Sequence, residues 1–364
     1  MAIIIFIIIL AILIFVHEFG HFIVAKKSGI KVTEFGLGFP PKVFGIQYGE
    51  TLYSLNAIPF GGFVRIFGEN PDDESISGAE KNRSIVHKAR PIQIAVLIAG
   101  VTFNVIFAWL LITSTFIIGS PTLTDGYTGP GIISDPQIVI TEVKPNSPAM
   151  NAGLKPGDTI LEISSEGFTA RKLDSQIVSN FIEAHGKKGV TVSISRGKDI
   201  SLYSMKATEG VVQGQIAIGI GMASIGTVKL PFMTAVSEGA KATYHQLIAI
   251  AQGLITFFKS VIVGNGNFSD VTGPVGIVSL VGISSRLGFV HLLSFTALIS
   301  LNLAVINLLP FPALDGGRIV IVLIESIIRR RLPSKAVNIV NGLGFVLLVV
   351  LMLVVTAHDI LKLL

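Results

Sequence analysis

One uninterrupted apolar run at the start of the chain limits what the rest can become. Residues 2–16 read AIIIFIIILAILIFV, and the run continues through His17-Glu18-Phe19-Gly20-His21 to Ala25, where Lys26-Lys27 stops it. A helix needs about 20 apolar residues to cross a bilayer. No basic residue precedes the run and no small-x-small cleavage site follows it, so it reads as an uncleaved spanning helix over 3–25 and not as a signal peptide. Segments 92–119 and 337–357 have the same character. A fourth, 288–309, is long enough but carries Ser, Thr, His and two Asn. Such groups are costly in lipid unless they face protein, so this span is expected to be internal or functional.

The remaining composition agrees with a mixture of membrane and water-exposed parts. Half of the 364 residues are apolar, only 14% are charged, and the mean hydropathy is +0.71. The pI near 9.3 comes with no basic stripe interleaved with aromatics, which argues against nucleic acid. The basic residues instead lie between spans: Lys26, Lys27, Lys31 and Arg90 among others before the second, and Arg318, Arg329, Arg330, Arg331 and Lys335 before the last. Excess Lys and Arg marks cytoplasmic loops. Both termini and the region from about 120 to 287 are therefore expected outside. Residues 233–264 are nearly long enough to span, but Lys259 interrupts them and a fifth crossing would separate the two basic stretches. An amphipathic helix on the outer surface is expected there.

Shorter signals fill in the organisation. Residues 34–67 alternate and are rich in Gly and aromatics, which predicts β-hairpins that dip into the membrane where protein covers them. The polar stretch 68–84 reads as a solvated linker. Runs such as IVITEV and VTVSIS, a helix-like stretch at 174–185 and turns such as KPGD and SRGKD predict a compact mixed α/β domain over 120–228. The expected fold is a multi-pass α-helical membrane protein of four spans with membrane-associated hairpins and this inserted domain. Residues 1–119 and 288–364 form its membrane core, and 229–287 form surface helices and a GPVG loop.

The chemistry concentrates in the first span. His17 and His21 are four apart, so their rings project from one helix face and can bind one Zn²⁺ at about 2.0–2.1 Å. Glu18 beside them can take a proton from water activated by the metal. Three ionisable groups within five residues of a span are costly without a metal or a partner. With no cysteine in the chain, any metal must be held by His and carboxylates. A catalytic zinc keeps three protein ligands and an open position. His87, His185, His245, His291 and His358 read as ordinary interfacial or surface residues. Asp315 is the better third ligand. It follows Asn307-Leu-Leu-Pro-Phe-Pro-Ala-Leu, whose prolines break the helix, and it precedes Gly316-Gly317, expected to free the backbone so that the carboxylate turns inward. Asp315 also returns to the depth of His17, about 12 Å inside the cytoplasmic end of its helix at 1.5 Å per residue.

Taken together, HEFGH at 17–21, PFGGFVR at 59–65, AGVTFN at 99–104, GPVGI at 273–277 and NLLPFPALDGG at 307–317 resemble the site-2 protease family along nearly the whole chain. The resemblance is to its bacterial RseP-type branch, intramembrane zinc metalloproteases that cleave anti-sigma factors in the plasma membrane. It implies zinc on His17, His21 and Asp315, Glu18 as catalytic base, and Asn302 and Asn307 as residues that hold an unwound substrate strand. It also implies strand addition of that substrate to the hairpin region. PQIVITEVKPNSPAMNAGLKPGDTILEISS at 136–165 is similar to a circularly permuted PDZ domain, which binds peptides by strand addition or acts by bulk. The resemblance implies a single such domain, and AGVTFN departs from the commoner AGPxxN form. Two other functions compete with proteolysis. A scaffold that has lost catalysis would have no need of Glu18. A metal transporter would need polar groups spread through several spans, whereas here they converge on one depth.

Overall fold

The computed structural model describes residues 1–69, 77–124, 127–171, 173–197, 199–212, 215–264 and 272–363. Residues 70–76 of the expected linker at 68–84 lie outside the described residues. In chain order, helix α1 (Ala2–Lys27) leads into strands β1 (Val32–Tyr48) and β2 (Thr51–Ile66) and then helix α2 (Arg90–Ile118). A β-rich stretch follows: β3 (Ser120–Leu123), β4 (Ile132–Val143), α3 (Pro148–Ala152), β5 (Thr159–Ser165) and β6 (Phe168–Ala170). It continues with α4 (Ser175–His185), β7 (Val190–Arg196), β8 (Asp199–Met205), β9 (Thr208–Val212), β10 (Gln215–Ala217) and β11 (Ile220–Lys229). Helices α5 (Phe232–Ile262), α6 (Pro274–Leu287), α7 (Phe289–Asn307), α8 (Asp315–Ile328) and α9 (Ser334–Leu363) complete the chain.

Among the described residues, five helices are long and apolar enough to cross a membrane: α1, α2, α5, α7 and α9. That is one more than the four read from sequence. The addition is α5, whose best window has a mean hydropathy of 1.3 against 3.0 for α1. Lys259 does not interrupt it. Lysine is a good helix former, and its long stem can lie along an apolar face, so the backbone continues to Ile262. Large apolar side chains stand exposed along α1 and α9, for example Ile3 at 62% and Leu343 at 67%. Such faces suit a hydrocarbon surrounding.

The chain divides into two compact units, residues 115–236 and the remainder. The first is built on a seven-stranded sheet in the order β3-β11-β4-β5-β7-β8, with β6 beside β5. Ile138, Ile140, Ile163, Val178 and Val192 lie at its core. Two turns are fixed by side chains. Ser147 caps α3 by accepting the Met150 N–H at 3.2 Å, and Gly153 ends that helix at φ +95°, a region glycine enters without Cβ strain. Asp158 accepts the Lys155 N–H at 2.8 Å and a two-pronged pair from Arg196 at 2.6 and 2.7 Å. This unit begins and ends inside helices because Leu230 donates to the Phe116 carbonyl at 3.0 Å and Val228, Leu230 and Ala235 share a cluster with Phe116.

The other unit is organised around α1. Instead of several hairpins, β1 and β2 form one hairpin of two long, bent strands, turning between Tyr48 and Thr51. Residues 34–37 of β1 lie next to both 62–65 and 52–55 of β2, whereas 62–66 have strand partners on one side only among the described residues. Gly61, at φ +134°, lets the border turn; a Cβ there would lie 2.2 Å from the Phe39 ring. Phe35, Val64 and Ile66 pack with Ala25, Ile30 and Val32, which seats the hairpin on the C-terminal half of α1. Val281 of α6 packs on Ile9 and Leu13 of the N-terminal half. Helix α6 is itself anchored by Asp359 of α9, whose carboxylate accepts the N–H groups of Gly273 and Gly276 at 3.2 and 2.8 Å. His17 thus lies between two packed halves of one helix.

Replacing Asp158 with Ala should remove the buried anchor of the 155–158 turn. Arg196 is 39% exposed, so solvent already weakens the pair. A loss of about 2 kcal/mol is expected, lowering the midpoint of thermal proteolysis of the 115–236 unit by roughly 5–10 °C in the full-length protein.

Candidate metal centre

The four-residue spacing on α1 brings the rings of His17 and His21 to a centroid distance of 4.8 Å at an 81° interplanar angle. Their Nε2 atoms are 3.2 Å apart, and the residues are only 9% and 7% exposed. Asp315 enters from the first turn of α8. Its Oδ2 lies 3.1 Å from His17 Nε2 and 3.4 Å from His21 Nε2. The two residues that sequence spacing places together and the one 294 positions further on therefore meet at a point, with all ligand atoms within 4.8 Å of one another.

The loop before Asp315 turns for a different reason from the one expected. Gly316 and Gly317 lie within α8 and neither has a positive φ; the left-handed residue is Ala313, at φ +73°. What the glycines supply is space. A Cβ on Gly316 would lie 2.2 Å from the Leu309 carbonyl oxygen, and one on Gly317 would lie 2.1 Å from that of Phe311. The proline-containing loop folds flat onto the start of α8, and Asn341 of α9 accepts the Ala313 N–H at 3.3 Å.

Protons and lone pairs show what the cluster can hold. His21 Nδ1 lies 2.8 Å from the Val96 carbonyl oxygen. A carbonyl only accepts, so Nδ1 carries the proton and Nε2 turns a lone pair inward. Asp315 Oδ2 is buried and, despite its short distances to both rings, has no hydrogen-bond partner of good geometry. Three electron-rich atoms facing one another repel unless a cation lies between them. Ligands bound to zinc at about 2.0–2.1 Å and tetrahedral angles are about 3.3 Å from each other. The observed separations of 3.1, 3.2 and 3.4 Å match that spacing. Two imidazoles and one carboxylate fit a catalytic zinc with its fourth position open.

Helix α2 supports this cluster. A Cβ on Gly100 would lie 2.3 Å from His21 Nε2 and 2.7 Å from His17 Cε1, and one on Gly20 would lie 2.5 Å from the Ala99 carbonyl. The two helices touch through facing glycines, and no larger residue leaves room for the rings. Asn104, one turn beyond Gly100, lies with its amide nitrogen 3.3 Å from His17 Nδ1, while its buried Oδ1 is unpaired. Turning the amide over lets Oδ1 accept from His17 Nδ1–H, which satisfies the oxygen and leaves the His17 Nε2 lone pair facing inward. In the sequence Gly100 and Asn104 are only a small and a polar residue at four-residue spacing within AGVTFN. Their role is to shape and orient the two histidines.

Glu18 accepts a hydrogen bond from the Val64 backbone N–H on the border of β2. Cavities of about 290 and 330 Å³ meet at His17, Glu18, Ala313 and Asp315. Asn307 lines the first. Asn302 does not, and its amide donates to the Leu298 carbonyl of its own helix at 2.8 Å. Five residues along a helix turn a side chain by about 140° from the first, so the two cannot share a face of α7. Of the other histidines, His185 stacks against Phe168 and Phe181 in the 115–236 unit, with ring centroids 4.8 Å apart in each case.

With this geometry in place, comparison with known proteins is informative. The profile of Peptidase family M50 matches residues 5–351. A Clostridium perfringens protein provisionally named a zinc metalloprotease is 37% identical over 349 residues, which cover 96% of this chain and 95% of that protein. Zinc metalloprotease RasP of Geobacillus kaustophilus is 30% identical over 424 residues, covering 99% of this chain and 98% of its own. RasP of Bacillus licheniformis is 27% identical over 433 residues, covering 98% of each.

The packing of α2 makes a sharp prediction. Gly100→Ala puts a methyl group 2.3 Å from His21 Nε2 and so displaces the ring; the purified variant should bind zinc about 10- to 100-fold more weakly while remaining folded. Metal analysis beside a limited-proteolysis pattern checks this.

Proposed function

This chain belongs to peptidase family M50, the site-2 proteases, and is a zinc metalloprotease; from that premise we propose that it hydrolyses a peptide bond of single-span membrane proteins within the bilayer. His17, His21 and Asp315 hold the zinc, and Glu18 is the catalytic base. The reading is carried by one observation, the buried and unpaired Asp315 oxygen facing two histidine nitrogens at tetrahedral ligand spacing.

Zinc supplies Lewis-acid polarisation of a carbonyl and lowers the pKa of water towards about 7. The residues of the chain do the rest. Glu18 sits in both cavities that meet at the cluster, so it can take the proton of an attacking water and deliver it to the leaving amine. Its bond to Val64 N–H fixes the carboxylate beside the border of β2. A helical substrate hides its peptide groups in hydrogen bonds and must unwind before it can be cut. The one-sided border of β2 at 62–66 offers replacement partners, so the substrate is read as adding to it as a strand. Asn307, in the cavity wall, is placed to hold that strand. Asn302 would reach it only by releasing its bond to Leu298.

Orientation follows from charge. We read α1, α2, α7 and α9 as the spans, with the basic stretches at 26–90 and 318–335 cytoplasmic and both termini outside. Helix α5 then lies along the outer surface. The 115–236 unit is read as an extracytoplasmic PDZ domain, supported by the Ser147 cap and the Asp158 turn in the SPA and AGLKPGD stretches. It controls access of substrates by peptide capture or by bulk. Anti-sigma factors and signal-peptide remnants are substrates of suitable topology.

Two variants test the assignment. Glu18→Gln should keep about one zinc per chain and lose about 10²- to 10⁴-fold in cleavage rate on a single-span substrate in detergent. Asp315→Ala should lose both zinc and activity. Full activity in purified Glu18→Gln would defeat the assignment of the base.

A further inference from the structure

The border of β2 does not stop at the metal centre. Gly61 and Gly62 line the first cavity beside the cluster, and Phe63, Val64, Arg65 and Ile66 line the second. Beyond them, Ile66, Gly68 and Glu69 line a third cavity of about 270 Å³ in the same unit. The second and third cavities share four wall residues, Ile66, Glu69, Leu97 and Arg318. Arg318 and Glu69 are ion-paired, and each is partly exposed, at 33% and 25%. This pair therefore stands at the junction between the two spaces.

The interior of the third cavity differs from that of the catalytic pair. Ile85, Val86, Ile321, Val322, Leu332 and Val337 give it an apolar wall, while Gln93, Glu325, Arg331, Ser334, Asn338 and Asn341 are its polar contributors besides the junction pair. Its location is towards the ends of α1 and α2 that carry Lys26, Lys27 and Arg90, because Gln93 and Leu97 lie in the first turns of α2. The catalytic mechanism uses none of these apolar residues.

We propose that this cavity is a specificity subsite for a bulky apolar side chain of the substrate, two to four residues from the scissile bond. The inference rests on the proteolytic reading above. A strand advances about 3.3 Å per residue. Val64 marks the register of Glu18; Ile66 ends the border two residues further along, and Gly68 lies in the turn beyond it. A substrate paired with 62–66 is therefore carried past Glu18 and delivered to the mouth of the third cavity. The side chain concerned lies on whichever side of the scissile bond leads towards the basic ends of α1 and α2. Once seated, it fixes the register of the unwound segment, so that cleavage occurs at a defined bond of an otherwise featureless apolar sequence. The occupant is the substrate, because the cavity shares four wall residues with the catalytic one and the strand edge that supports a substrate ends at it.

The experiment uses the full-length, zinc-loaded protein in detergent and a set of single-span substrates. These carry Leu or Ala at each position from four before to four after the scissile bond. One position, two to four residues away on a single side, should show about tenfold higher kcat/KM for Leu, the discrimination expected of an apolar pocket. Val337→Trp fills the cavity and should bring that Leu-to-Ala ratio to about one. Val337→Ala enlarges it and should move the preference to Phe or Trp, which keeps the test decisive if the Trp variant does not fold. A wild-type enzyme that cleaves these substrates with no such position, or Val337 variants with an unchanged ratio, would overturn the subsite and leave the protease reading standing. A zinc-loaded wild type that cleaves none of them would overturn both.

Discussion

Everything functional in this molecule depends on mutual repulsion between three lone pairs. His17 Nε2, His21 Nε2 and Asp315 Oδ2 are held within 3.4 Å of one another in a largely buried setting, where electron-rich atoms are costly to bring together. The fold imposes that approach from three directions. Helix α1 sets the histidine spacing, the flat loop before α8 delivers the carboxylate, and α2 closes the third side through Gly100. A divalent cation among them would convert the repulsion into a bond that joins these elements.

The supporting contacts explain why so many small and polar residues occur inside an apolar protein. Gly20 and Gly100 let two helices approach until backbone meets imidazole. Val96 O and Asn104 fix the ring orientations, and Ser300 Oγ donates to the Asn104 carbonyl at 2.8 Å, which ties α7 to the same helix. Asp359 performs a related task further away, holding the start of α6 against the N-terminal half of α1. These contacts each join two elements, so they also specify which helices meet.

Much of this could be read from the sequence because the determining patterns are local. The run of apolar residues, the i, i+4 histidines and the proline break before Asp315 each act over a few positions. The ends of α1, α2 and α7 fall within two residues of the expected bounds for that reason, whereas α9 runs on past 357 to Leu363. What could not be read depends on distant neighbours. Nothing near Gly100 says that it faces imidazoles, and nothing near Gly316 says that it lies under the carbonyls of Leu308 and Leu309. The single bent hairpin escaped because 34–37 pairs with two separate parts of β2, a long-range arrangement that alternation alone cannot encode. Helix α5 was expected over 233–264, and what the sequence did not convey is that it is long and apolar enough to cross a membrane. The separation of Asn302 from Asn307 was legible in principle, since helical geometry alone sets them on different faces of α7.

The most direct test of the central claim is the zinc K-edge absorption spectrum of the purified full-length protein. The account predicts a first shell of two imidazole nitrogens and one carboxylate oxygen at about 2.0–2.1 Å, plus one further light-atom ligand. A shell without imidazole scattering, or one made only of oxygens, would contradict it.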